Sequence, residues 1–109
     1  MAIFISQGRF TQAAVKGMIA KPEDRAEAVK QLFEKSGGKL LAYYFTFGES
    51  DFVIISEGAI EGAAVSTIVA AASGGVTDLK TSLAMTSSEM KSAFAKAGQV
   101  AASFRAAGQ

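Results

Sequence analysis

Two charged side chains, Asp51 and Arg9, offer the strongest case for chemistry in this 109-residue chain. Asp51 follows a polar turn that begins at Gly48, where a strand is predicted to start, and its carboxylate could act as a general acid or base. Arg9 lies near the end of another predicted strand, where its guanidinium could hold an anionic or carbonyl group. The competing interpretation is architectural, because Asp at a turn commonly accepts backbone N–H bonds and Gly supplies an unusual backbone angle.

A second group of side chains could bind a small molecule. Aromatic and hydroxyl residues that alternate along a strand can line a flat apolar pocket in which a hydroxyl orients the ligand. Gln7 shares a strand face with Arg9 and could add a polar group at one end. The competing interpretation is that the rings are core or interface and that the strand end is simply exposed. The candidate ligand-binding residues are Gln7, Arg9, Tyr43, Phe45, Phe52 and Ser56, the catalytic candidates are Asp51 and Arg9, and the turn motif is Gly48 with Asp51.

The composition excludes several classes of site. Histidine and cysteine are both absent, which removes disulfides, thiolate chemistry, the usual zinc sites and Ser-His or Cys-His catalysis. We therefore expect no cofactor and no metal. Eleven basic and ten acidic side chains are scattered along the chain, so no nucleic-acid partner is expected. The opening apolar run is too short for a signal peptide or a membrane span, which favours a cytoplasmic protein without a membrane partner.

The elements that must position these residues begin with a strand over residues 2–10. Thr11 can cap a short helical segment that runs towards Ile19. Pro22 suits the first turn of a second helix, which the pair Gly37-Gly38 ends. After the central hairpin, an almost wholly apolar helix over residues 59–73 leads to a strand over residues 76–85, which we predict at a sheet edge.

The segment from Gly37 to Glu57 predicts a hairpin whose two faces are both apolar. A four-residue turn would place Phe47 opposite Phe52. One face then carries the aromatic residues Tyr43, Phe45 and Phe52. The other face carries the mostly aliphatic set Leu40, Ala42, Tyr44, Thr46, Val53 and Ile55. We expect helices to cover the aliphatic face and a second copy of the chain to cover the aromatic face.

The chain ends in an Ala-rich helix that a capping box from Thr86 to Glu89 opens. Its apolar residues form one stripe, which is more typical of a helix docked on the domain: Met90, Phe94, Ala97, Ala101 and Phe104. The element order predicts an α+β, ferredoxin-like βαββαβ fold with an extra C-terminal helix.

Five segments in this order resemble the bacterial GYD domain family: IFISQGRFTQAAVKGM, the helix ending EKSGGKL, YYFTFGESDFVIISE, GGVTDLKTSLAMT and TSSEM. The resemblance implies a ferredoxin-like domain over residues 1–95, a helical extension over residues 96–109, and a dimeric α/β-barrel assembly. No activity is assigned to the family. Its name describes a Gly-Tyr-Asp signature in the central turn, to which Gly48 and Asp51 correspond here, while Ser50 stands in the place of the tyrosine.

These observations predict a small homodimer that pairs through its sheet face and binds a small, largely apolar molecule between or beside the facing sheets. One alternative is a cofactor-independent oxygenase or isomerase, by analogy with other dimeric α/β barrels. Another is a structural or regulatory dimer without a ligand. Whether the protein is an enzyme stays open at this point.

Overall fold

The computed structural model describes residues 1–109 as one antiparallel sheet with four helices. In chain order the elements are β1 (Ala2–Phe10), α1 (Gln12–Ala20), α2 (Ala26–Lys35), β2 (Lys39–Phe45), β3 (Phe52–Gly58), α3 (Ile60–Ala72), β4 (Val76–Ala84) and α4 (Ser87–Ala101). The strand order is β2-β3-β1-β4, which is the ferredoxin-like arrangement of two interleaved βαβ units. The predicted fold class and the edge position of β4 are confirmed.

Local sequence explains where the helices begin and end. The Thr11 hydroxyl accepts a hydrogen bond from the Ala14 N–H and so caps α1. The N-cap of α2 is Arg25, which makes no side-chain cap bond; the Asp24 carboxylate before it accepts from the first helical N–H, that of Ala26, at 2.9 Å. Gly37 ends α2 at a φ of 85°, a left-handed conformation that favours glycine. Pro22 precedes α2 and lies outside it, so the helix starts later than Pro22 suggested.

The helices cover the aromatic face of the hairpin, which corrects the sequence-based prediction. Tyr43 and Phe52 face side chains of α2 and α3, among them Phe33. Among the large apolar side chains only Phe4, Phe33 and Phe52 are buried, and Phe52 is the most enclosed at 3% exposure. The prediction was wrong because both faces are apolar, so alternation could not rank them. The crossover connections decide which face receives the helices.

The hairpin turn is longer than predicted. Phe45, and not Phe47, lies opposite Phe52, and Tyr43 lies opposite Ile54. The connection is the loop of residues 46–51, closed by the Thr46 N–H donating to the Asp51 carbonyl at 2.8 Å. The observed register differs from the predicted one by two residues. Because side chains alternate with a period of two, the aromatic residues still share one face. A bulge at Leu41 separates Leu40 from Ala42, and Leu40 therefore pairs with Ser56 on the helix side.

The opposite side of the sheet has no helix over it. We call it the open face, defined by Ile3, Ile5, Ala42, Tyr44, Val53 and Ile55. Ile5 lies opposite Ile55, which in turn lies opposite Ala42, so the middle of the open face is a continuous aliphatic surface. Helices α2 and α3 contact the sheet from the other side.

Helix α4 extends away from the rest of the molecule. The Thr86 and Glu89 capping box is present, as the sequence predicts. The apolar stripe does not dock on the domain, however, since no residue of α4 is buried and Phe94 is 69% exposed. The radius of gyration is 18.1 Å, against about 13 Å for a compact domain of this length, and the long axis reaches 61 Å. Docking of this stripe within the chain was a wrong prediction.

Candidate functional site

A cavity of about 290 Å³ lies between the helix layer and the sheet. Strands β1 to β4 form its floor, and α2 and α3 form its walls. Its lining, which defines the term cavity below, consists of Ser6, Phe10, Arg25, Val29, Leu32, Phe33, Tyr43, Phe52, Ile54, Ser66, Thr67, Val69, Ala70, Ser73, Val76, Leu79 and Thr81. Arg25 is the only charged residue in this set. An apolar space with few polar groups is the usual form of a small-molecule site.

Four aromatic rings lie against one another beside the cavity, near the end of β1. The ring of Phe10 lies 5.1 Å, centroid to centroid, from both Phe45 and Phe52. Tyr43 contacts the edge of Phe45 at 5.5 Å. Tilted and edge contacts of this kind are favourable beyond the area that they bury. The cluster thus forms an apolar wall for a molecule that enters the cavity.

The hydroxyl groups of α3 that line the cavity are already engaged as donors. Ser66, which is buried, and Thr67 both donate to the Ala63 carbonyl, at 3.0 and 2.8 Å. Across the cavity, the hydroxyls of Ser6 and Thr81 lie 3.0 Å apart on neighbouring strands. These groups keep lone pairs that can accept from a ligand. Each of these hydroxyls has a partner within the protein, so an empty cavity leaves none of them unsatisfied.

Tyr43 presents a different kind of polar group. Its phenol makes no side-chain hydrogen bond within the protein, although the residue is half-buried. Burial raises the pKa of Tyr43 above its ordinary value of 10.0, an effect that the charge of Arg25 partly offsets and that of Asp24 adds to. The hydroxyl is therefore protonated at neutral pH and free to donate.

The predicted ligand-binding residues do not form one site. Tyr43 and Phe52 line the cavity, and Phe45 joins them through its ring contacts. Ser56 is buried further along the sheet, beside Phe4, in a crevice of about 10 Å³ that is too small for a ligand. Two candidates lie elsewhere: Gln7 and Arg9 are exposed and share the side of β1 that carries Ile3 and Ile5.

The two catalytic candidates lie away from the cavity lining. The Asp51 carboxylate accepts a hydrogen bond from the Phe10 N–H at 2.9 Å, a contact that holds the loop against β1. Arg9 forms no ion pair. In the turn motif, Gly48 has a φ of 138°, and the Ser50 hydroxyl donates to the Gln7 side chain at 3.3 Å. A catalytic role for Asp51 and Arg9 stays a prediction, and the geometry of the turn supports its architectural reading.

Sequence reasoning missed Arg25 and the two hydroxyl residues of α3. Arg25 follows Pro22, Glu23 and Asp24, and that setting pointed only to a helix start. Ser66 and Thr67 carried a signal that could have been used, since they are adjacent polar residues in an otherwise apolar helix. No group of acidic side chains converges in a way that could hold a metal ion. None of the helices is long and apolar enough to cross a membrane.

The model of the GYD domain family matches residues 4–94. The chain belongs to the GYD domain family. The matched residues of this GYD domain include β2, β3 and β4, β1 from Phe4 onward, and both helices that line the cavity. They also include the turn from Gly48 to Asp51. Every residue that lines the cavity therefore lies within the matched range.

A search of curated proteins found no match to this GYD domain. Among solved structures, it is similar to a transcriptional regulator from Neisseria meningitidis that was crystallised in complex with L-Met. The two chains are 15% identical with a TM-score of 0.49, and the alignment covers 79% of this chain and 51% of the regulator. The GYD domain thus spans about half the length of that protein.

Proposed function

We propose that this GYD domain binds a small, largely apolar molecule in the cavity between its helices and its sheet. The observation that carries the proposal is the cavity itself, about 290 Å³ of apolar space inside a single chain. The sequence-based prediction placed the ligand between or beside the sheets of two copies. The proposal here keeps the ligand on the face of Tyr43 and Phe52, but places it under α2 and α3 and not against a second copy.

The sparse core of the protein supports this proposal. No large side chain is fully enclosed, and most residues that line the cavity remain partly exposed to it. Protein interiors are normally close-packed, and side chains beside an empty space lose dispersion contacts. A bound apolar molecule restores those contacts. The buried hydroxyl groups are paired already, so a ligand needs to satisfy few polar atoms.

The volume of the cavity limits the size of the ligand that it can hold. An engineered apolar cavity of about 150 Å³ accommodates benzene. The cavity described here is roughly twice that volume, which suits a bicyclic ring or a chain of about eight to ten carbon atoms.

The experiment uses 1-octanol as a neutral probe and compares Ala70→Leu with Ala71→Leu. Ala70 lines the cavity, whereas Ala71, its neighbour on α3, is exposed. A ligand that binds only the folded protein raises the melting temperature. We expect 1-octanol to raise it in the wild type and in Ala71→Leu, and to lose most of that effect in Ala70→Leu. An equal response in all three proteins, or none in the wild type, would contradict the proposal.

We also infer that the protein forms a homodimer through its open face. The supporting observation is the aliphatic surface around Ile5 and Ile55, which no element of the chain covers. Uncovered apolar surface of this kind commonly marks an interface between subunits. The inferred dimer thus uses the face opposite to the aromatic one that the sequence suggested.

Sedimentation of Ile5→Lys, with Ile60→Lys as control, tests the dimer. Ile5 lies in the middle of the open face, while Ile60 is exposed at the start of α3. A lysine at position 5 would place a desolvated charge at the inferred interface. We expect a monomer for Ile5→Lys and a dimer for the wild type and the control. A wild-type monomer at micromolar concentration would contradict the inference.

A further inference from the structure

We propose that the molecule in the cavity is an organic monocarboxylic acid, whose carboxylate binds Arg25 and whose apolar body fills the space between Phe52 and α3. The inference rests on the proposed function, and it adds the chemical class of the ligand. The argument depends on the charge at the mouth of the cavity, on the free donors there, and on the apolar character of the remaining walls.

Arg25 is the only charged residue in the cavity lining, and it lies at the start of α2. Its Nη1 donates to the Glu23 carboxylate at 3.0 Å, and the side chain is 41% exposed. An exposed ion pair of this kind is weak, so Glu23 is easily displaced. A guanidinium has five N–H donors, and one bond to Glu23 leaves others for a ligand. Two parallel bonds to a carboxylate are the favoured use of that fork.

The cavity opens into a more polar recess beside α1. We define the recess by its lining residues Phe10, Ala14, Gly17, Met18, Lys21, Glu23, Arg25, Ser73, Gly75 and Val76. Four of them also line the cavity, so the two spaces adjoin. The recess carries two cations, Lys21 and Arg25, against one acid. The nearby Asp24 carboxylate accepts from the Ala26 N–H at the start of α2 and keeps its negative charge. The mouth favours an anion through direct hydrogen bonds to the Arg25 guanidinium, and not through an excess of positive charge.

Tyr43 supplies a second donor in the lining of the same cavity. Its phenol has no partner within the protein, and the Arg25 charge acts on it. A carboxylate that binds Arg25 can accept a further hydrogen bond from this hydroxyl. Beyond these groups the lining is aliphatic and aromatic, with hydroxyls that already bond to one another or to the Ala63 carbonyl. A ligand with a second charge would leave that charge unpaired against an apolar wall, which is costly.

Octanoate and 1-octanol provide a matched pair of probes, since they have the same chain and differ in the head group. Their affinities are measured by calorimetry for the wild type, for Arg25→Met and for Arg105→Met. Arg105 is an exposed arginine after α4 and serves as a control of the same residue type. Methionine keeps an unbranched apolar stem of similar length and removes the charge.

We expect the wild type to bind octanoate at least about tenfold more tightly than 1-octanol at neutral pH, as charge-assisted hydrogen bonds are the stronger kind. Arg25→Met should lose this preference and keep its affinity for 1-octanol, whereas Arg105→Met should behave as the wild type. High salt should reduce the preference without changing the affinity for the alcohol.

The outcomes separate this inference from the proposed function. If the wild type binds 1-octanol and octanoate equally, or if Arg25→Met keeps the preference, the cavity binds apolar molecules and the carboxylate assignment is wrong. If neither probe binds, the proposed function and this inference are both wrong. Circular dichroism of Arg25→Met shows whether the variant is folded, and retained affinity for 1-octanol gives the same control within the calorimetry.

Discussion

The Asp51 carboxylate accepts a hydrogen bond from the backbone N–H of Phe10, with Oδ2 and N 2.9 Å apart. The Asp51 N–H in turn donates to the Gly8 carbonyl at 2.8 Å. One residue of the hairpin loop thus holds the end of β1 through both its side chain and its backbone. Because the Phe10 ring contacts Phe45 and Phe52, the loop also determines where the aromatic wall of the cavity lies.

Asp51→Ala should lower the free energy of unfolding by about 1–2 kcal/mol, since it leaves the Phe10 N–H without its partner. Asp51→Asn keeps a carbonyl acceptor and should cost less. Glu49→Ala, an exposed change in the same loop, should stay within about 0.5 kcal/mol of the wild type. Urea denaturation measures all three. Equal free energies of unfolding for Asp51→Ala and Glu49→Ala would contradict an architectural role for Asp51.

Gly62→Ala should destabilise the protein, although alanine normally favours a helix over glycine. A Cβ at position 62 would lie 2.5 Å from the Ser36 carbonyl oxygen at the end of α2, so one of the two helices would have to move. Gly17→Ala in α1 meets nothing within 4 Å and should stabilise by roughly 0.5–1 kcal/mol. Thermal denaturation of both variants tests the close contact of α2 and α3. If the contact exists, the melting temperature falls for Gly62→Ala and rises for Gly17→Ala.

Phe52→Ala should cost about 3–5 kcal/mol of stability, because Phe52 is the most enclosed aromatic side chain. Phe47→Ala removes a fully exposed ring from the adjacent loop and should change stability by less than about 0.5 kcal/mol. Denaturant titration provides the comparison. A large effect at Phe47 would mean that this ring is covered in solution, for example by a second copy of the chain.

Tyr43 should titrate above pH 10.0 in the folded protein. The chain has two tyrosines, so Tyr44→Phe leaves Tyr43 as the sole source of the tyrosinate absorbance. The pKa of Tyr43 is raised in the folded state, so the neutral phenol makes its full contribution to stability below the unfolded-state pKa. That contribution is lost as the pH rises through the folded-state pKa. The same variant in denaturant is the control and should titrate at the ordinary value. Identical titration midpoints in the folded and denatured protein would mean that the Tyr43 phenol is fully solvated in the folded state.

The sequence alone determined the elements and their order. Caps at Thr11 and Thr86, the glycine end of α2 and the periodicity of each segment are local signals, and they act within a few residues. The order of the elements then limits the sheet to few topologies, because parallel crossovers are right-handed. The ordered set of segments also identified the family.

Only the tertiary structure decided which hairpin face meets the helices, because the two faces are both apolar and alternation is symmetric between them. It also brought Arg25, at the start of α2, to the same cavity as Tyr43 and Ser66, which lie far apart in the chain. Side chains from separate elements meet through packing, which no local pattern encodes. The stripe on α4 shows the same limit, since its periodicity predicts an apolar contact but not whether the contact lies within the chain.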